Sequence, residues 1–171
     1  MPKLELTALL VIFTVAIHAG TYQLTNVSAI DGDTIRADIH LGFSITLTNQ
    51  SIRLAGIDTP ETHTRIPLEK RAGLIVTLWL TGTIAHGSVF TLTTNGKERG
   101  KFGRPLGVLT IDKRNICDIL IEKGFARVYN GGKKLPWTDK QLNLIIQGGL
   151  KCRRTGDPGN KIKWPENQFN N

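Results

Sequence analysis

The chain has 171 residues, enough for one domain with a real core and hardly enough for two. A hydrophobic share of 40% and a charged share of 21% exclude global disorder, a collagen-like fibre and a multi-span membrane protein, while two cysteines exclude a disulfide-built miniprotein and a four-cysteine zinc site. Lysine and arginine outnumber aspartate and glutamate 22 to 14, so the expected partner is polyanionic, nucleic acid first and an anionic membrane surface second. The charge is uneven: residues 1–112 carry 10 basic and 9 acidic side chains, residues 113–171 carry 12 and 5.

Leu6 to Ile17 is a run of twelve uncharged residues between Lys3 and His18-Ala19-Gly20. It falls short of the roughly 20 residues a membrane span takes. It matches the apolar region of an export signal cleaved after Ala19, although Glu5 and Ile17 depart from that pattern. A buried N-terminal strand is the competing interpretation, because Val11, Ile12, Phe13, Val15 and Ile17 are strand formers. From Thr21 the pattern is β: Tyr22, Leu24 and Ile30 are apolar among polar residues, Asp31-Gly32 is a turn dipeptide, and Asp33 to Ile39 alternates again. Leu41-Gly42-Phe43 breaks that strand, and strands are expected over Ser44 to Thr48 and Ser51 to Ile57, with Asn49-Gln50 as the turn between them.

Pro60 ends the extended run. Leu68, Ala72, Ile75, Leu78 and Trp79 then recur at helical spacing, with Pro67 in the first turn and Glu69 near the positive helix end. Strands follow over Ser88 to Thr93 and Leu106 to Ile111, with a turn at Asn95-Gly96. Asn115 is placed to cap a short helix that stops at Gly124. A third helix is expected over Asp139 to Gln147, interrupted by Gly148-Gly149. The organisation expected is an apolar segment over 1–19, one domain over 20–150 and a loose basic tail over 151–171. Short antiparallel strands with an inserted helix suit a small closed barrel, the OB type being one candidate.

Acidic residues are scarce in the first half, yet Asp31, Asp33, Asp58 and Glu61 fall at strand ends beside turns. Two such carboxylates with a backbone carbonyl suit a hard cation such as calcium; each alone is equally an ordinary turn or strand-end residue. Arg53 and Arg104 accompany them as solvated surface groups or, beside a metal, as cations that hold a phosphodiester. Arg53 and Asp58 would face opposite sides of one extended strand unless the chain bends between them. No His–Cys spacing suggests zinc, and Cys117 and Cys152 are expected to be free thiols unless export lets them pair.

Four blocks carry a family resemblance: Asp31-Gly32-Asp33-Thr34, Arg53 to Thr62, Gly100-Lys101-Phe102-Gly103-Arg104, and Lys123 to Tyr129. Together they resemble the staphylococcal nuclease (thermonuclease) family over roughly Tyr22 to Tyr129. That resemblance implies an α+β fold, mainly β, in which a five-stranded OB-fold barrel carries two to three helices. It implies a calcium-dependent endonuclease that hydrolyses DNA and RNA with little sequence preference and leaves 3′-phosphate ends. Residue by residue, Asp33, Asp58 and the carbonyl of Thr59 would ligate calcium, and Asp31 would reach it through water. Glu61 would take a proton from the attacking water, and Arg53 and Arg104 would grip the scissile phosphate. Lys101 and Tyr129 would contact substrate, Tyr129 competing with a packed-strand role; Phe102 stands where the best-known relative has a tyrosine. A monomer without a stable protein partner or membrane span is implied, secreted or periplasmic if residues 1–19 are a signal and cytoplasmic otherwise. The alternative is an OB-fold module that binds nucleic acid without cleaving it.

Overall fold

Alternation of β-branched and polar side chains sets the first three strands, β1 (Gly20–Ala29), β2 (Thr34–Gly42) and β3 (Ile45–Leu54). The structure, a computed structural model, describes residues 20–95 and 103–155, without the side chains of 153–155. Ile35, Ala37 and Ile39 point inward from β2 while Arg36 faces solvent, the period-two pattern of a sheet with one buried face. The β2–β3 turn is centred on Phe43 and Ser44, whose φ values of 48° and 61° are those of a two-residue hairpin with both central residues left-handed.

That turn falls at the expected break over Leu41-Gly42-Phe43, whereas the turn expected at Asn49-Gln50 is corrected. Asn49 lies inside β3 at φ 55°, where the register with β2 slips between Ala37–Gln50 and Ile39–Leu47. It is a β-bulge, and Asn26 in β1, at φ 52°, marks a second. Asp38 on β2 serves both, accepting from the Asn49 backbone N at 2.6 Å and from Asn26 Nδ2 at 2.7 Å.

After β3 the chain makes a short β4 (Ile57–Asp58) and a 20-residue helix α1 (Pro67–His86). Then come β5 (Phe90–Thr94), β6 (Leu106–Ile111), β7 (Arg114–Asn115), helix α2 (Ile116–Glu122), β8 (Arg127–Val128) and helix α3 (Asp139–Thr155). The main sheet runs β3-β2-β1-β5-β6-β7, and parallel pairing of Arg53 with Leu106 and Leu54 with Gly107 joins β3 to β6. This closes a five-stranded barrel with OB topology, as the family resemblance implies. Ile35, Ile39, Ile52, Leu54, Leu92, Leu109 and Ile111 fill its interior.

Helix α1 lays Ala72, Ile75, Val76, Trp79 and Leu80 on that interior, and Asn115 caps α2 as expected by accepting from Cys117 N at 2.9 Å. Helix α3 is a correction. It runs through Gly148-Gly149 and on to Thr155, taking in the first five residues of the expected tail. A Cβ on Gly149 would lie 2.2 Å from Ile75 Cγ2, so the glycine lets α3 press against α1; the loss of propensity is offset by that close approach. Among the described residues neither cysteine forms a disulfide, Cys117 being buried and Cys152 partly so. No helix among the described residues is long and apolar enough to cross a membrane.

Candidate active site

Four stretches converge at one end of the barrel: the β1–β2 turn, the segment from Arg53 to Glu61, the entry to β6 and the strap between β8 and α3. The turn is tight because Asp31 Oδ1 accepts from Asp33 N at 3.0 Å. Asp33 is thereby carried inward, 6% exposed, and its Oδ2 accepts from Thr59 N at 3.2 Å. Close nesting is possible because Gly32 has no side chain: a Cβ there would stand 2.7 Å from Thr59 Oγ1. Gly73 of α1 likewise makes room for the backbone of Pro60 and Glu61.

The expected opposition of Arg53 and Asp58 is removed by a turn at Ala55-Gly56, where Gly56 adopts φ 77°. Arg53 curls back onto that turn, donating from Nη1 to the Asp33 carbonyl at 3.1 Å and from Nη2 to the Ile57 carbonyl at 3.0 Å, with Nη1 also paired to Asp33 Oδ1. Burial pulls the Arg53 guanidinium below its ordinary pKa; Asp31, Asp58 and Glu61 oppose that shift and Arg104 adds to it.

Asp58 is 1% exposed and is held by two cations. Antiparallel pairing of β4 with β8 sets Arg127 directly opposite it. Arg127 donates to Asp58 Oδ2 from Nε at 3.0 Å and from Nη2 at 2.7 Å. Its guanidinium carbon lies 4.2 Å from the centre of the Trp137 ring, and it also donates to the Leu135 and Pro136 carbonyls. Lys134 Nζ lies 2.7 Å from Asp58 Oδ1, an ion contact without hydrogen-bond alignment, so that buried oxygen has no aligned donor. The same ammonium donates to Glu61 Oε1 at 2.7 Å. Burial would lower the Lys134 pKa, but its contacts with Asp58 and Glu61 outweigh this and raise it. Glu61 is half exposed; its backbone N donates at 3.4 Å to Glu69 Oε1, from the first turn of α1.

Two cavities meet at Lys134. The larger, about 750 Å³, is lined by Arg53, Arg104, Tyr129, Lys133 and Lys134; the smaller, about 300 Å³, by Asp58, Glu61, Glu69, Arg127 and Trp137 besides Lys134. Arg104 Nε is buried without a hydrogen-bond partner, and Tyr129 is half buried, its hydroxyl donating to the Gly132 carbonyl at 2.7 Å. Asp31, Asp33, Asp58 and Thr59 are therefore brought together, with Arg53 against Asp33 and Arg104 across the larger cavity. Glu61 joins them through Lys134. Lys101 and Phe102 lie outside the described residues, as do residues 1–19.

The donor set suits a hard divalent cation: two carboxylates taken out of water, one with an oxygen lacking an aligned donor. Among the described residues, no three of His, Cys, Asp and Glu already converge on a single point. Asp33, Asp58 and Glu61 each instead face a cation of the chain. Arg127, Lys134 and Glu69 were not anticipated as site residues. The signal for the first two was Arg127 inside the fourth sequence block and two lysines directly after Gly131-Gly132.

A five-stranded OB barrel with acidic and guanidinium groups gathered at one end defines a nuclease-like or nucleic-acid-binding module. The staphylococcal nuclease homologue family matches residues 51–147, more than half of the chain, and the chain belongs to that family. Among curated proteins, none matches it.

Proposed function

We propose that the chain is a calcium-dependent phosphodiesterase acting on DNA and RNA with little sequence preference and leaving 3′-phosphate ends. The observation that carries this reading is the pairing of two buried carboxylates, Asp33 and Asp58, with a cavity into which Arg53 and Arg104, its buried Nε without a hydrogen-bond partner, bring guanidinium charge. Asp33, Asp58 and the Thr59 carbonyl would hold the calcium, with Asp31 behind them. Calcium would supply positive charge that screens the phosphodiester and makes nearby water a stronger acid. Arg53 and Arg104 fork onto phosphate oxygens and stabilise the charge that grows there in the transition state, each worth about 10²–10³ in rate on the scale of comparable donors. Glu61, half exposed beside them, accepts the proton of the attacking water. Tyr129 offers a face for base stacking at the cavity wall, and Lys101 a further cation.

Digestion of plasmid DNA and of RNA with calcium, magnesium or chelator side by side tests this proposal. Cleavage that needs calcium is expected, and undiminished cleavage in excess chelator excludes it. One observation favours the second reading, a module that binds without cleaving: Asp33, Asp58 and Glu61 each already have a cation of the chain against them. Retention of nucleic acid without products in any metal would establish that reading. We further propose export, with the mature chain starting near Gly20; N-terminal sequencing of native protein checks it, and a cytosolic chain still starting at Met1 excludes it.

A further inference from the structure

The two cations on Asp58 are held very differently. Arg127 grips Oδ2 through two nitrogens, and its other donors are taken by carbonyls under the Trp137 ring. Its position is fixed by pairing of β8 with β4. Lys134 covers Oδ1 by an ion contact alone, its side chain 40% exposed, and bridges 2.7 Å further to Glu61. It follows Gly131 and Gly132, which sit at φ 94° and 90° with nothing within 4 Å of either Cβ position, a left-handed stretch of strap that glycine adopts without strain. Asp58 and Glu61 are the carboxylates that the calcium-dependent reading assigns to the metal and to the proton. An ammonium in contact with Asp58 Oδ1 occupies the space of an incoming divalent ion, and the two like charges repel at such distances.

We propose that Lys134 sets the affinity of this chain for its divalent cation, filling the gap between Asp58 and Glu61 as an internal competitor that swings aside when the cation binds. The inference rests on the calcium-dependent reading of the site. It assigns Lys134 no part in bond cleavage.

The test is calcium binding by calorimetry on the full chain without nucleic acid, comparing the parent protein with Lys134→Met and Lys133→Met. Methionine keeps much of the stem and removes the charge. Lys133 has no ion pair among the described residues and controls for the general loss of one positive charge. Lys134→Met should bind calcium about three- to tenfold more tightly, the worth of two part-exposed ion pairs no longer broken on binding. Lys133→Met should stay within about twofold of the parent, as a charge without such pairs. Equal or weaker binding by Lys134→Met, or the same gain in Lys133→Met, overturns the inference and leaves the calcium reading standing. Absence of calcium binding in all three proteins overturns both.

Discussion

Glu61 is placed by contacts that belong to its neighbours: Glu69 accepts from its backbone and from Thr64 Oγ1 at 3.2 Å, and Lys134 holds its carboxylate. A base acts in the transition state, so its replacement should affect turnover more than binding. Glu61→Gln, which keeps shape but accepts no proton, is expected to lower kcat by about 10²–10⁴ with substrate affinity nearly unchanged. Steady-state kinetics on a defined oligonucleotide check this, and an unchanged kcat removes Glu61 from the mechanism. The acidic residues and both arginines are legible as residues because their chemistry is local to short sequence blocks. The parts taken by Arg127, although it lies in the fourth block, and by Lys134 are not, since their approach to Asp58 depends on a strand and a strap far along the chain. Cys117 has no such part: burial pushes its thiol up to about 11, which keeps it protonated and unreactive at neutral pH.

Among the elements, the alternation of β2 and the Asn115 cap are readable because period and capping are short-range properties. The Asn49 bulge passes for a turn in sequence because asparagine tolerates left-handed φ in either setting, and only pairing decides between them. The true turn uses Phe43 and Ser44, where the break at Leu41-Gly42-Phe43 ends β2 as expected although neither central residue is a usual turn former. Asp38 ties the two bulges, and its hydrogen bonds from the Asn49 backbone and Asn26 side chain hold its carboxyl below the ordinary value of 3.8. A depressed pKa gives stabilisation that is fully present above the unfolded value and is lost as pH falls through the folded one. The melting temperature of the parent should therefore fall more steeply below about pH 4 than that of Asp38→Asn; equal slopes remove the bulge clamp. Gly148-Gly149 misleads for a related reason, since closeness of α3 to α1 is invisible in either helix alone. Gly149→Ala should destabilise by about 1–3 kcal/mol through overpacking on the stiff, buried Ile75. In Gly148→Ala, where Phe125 Cε1 is 3.2 Å away, a gain of about 1 kcal/mol in helix propensity offsets the crowding. Urea unfolding of both variants separates the two cases.

For the whole molecule, the basic C-terminal third is divided differently from its sequence description. Lys151 to Thr155 are helical, and residues 156–171 carry Lys161 and Lys163 against Asp157 and Glu166, with no net charge. Ending the chain after Thr155 should leave the salt dependence of nucleic-acid binding nearly unchanged. Neutralising Lys151, Arg153 and Arg154 together should flatten the slope of log K against log salt by about 0.9 for each phosphate they no longer neutralise. Binding titrations at several salt concentrations compare the two, and a larger effect of truncation would move phosphate recognition into the last residues. The β4–β8 pairing has a consequence of another kind. Asp58 and Arg127 are 69 residues apart in the chain. At about 5–20 residues per second, a ribosome that has made the aspartate needs about 3–14 s more to make its arginine. Throughout that interval the nascent chain holds an acidic half-site with no β8 to complete it, so the Asp58–Arg127 ion pair can form only after the later strand has been made.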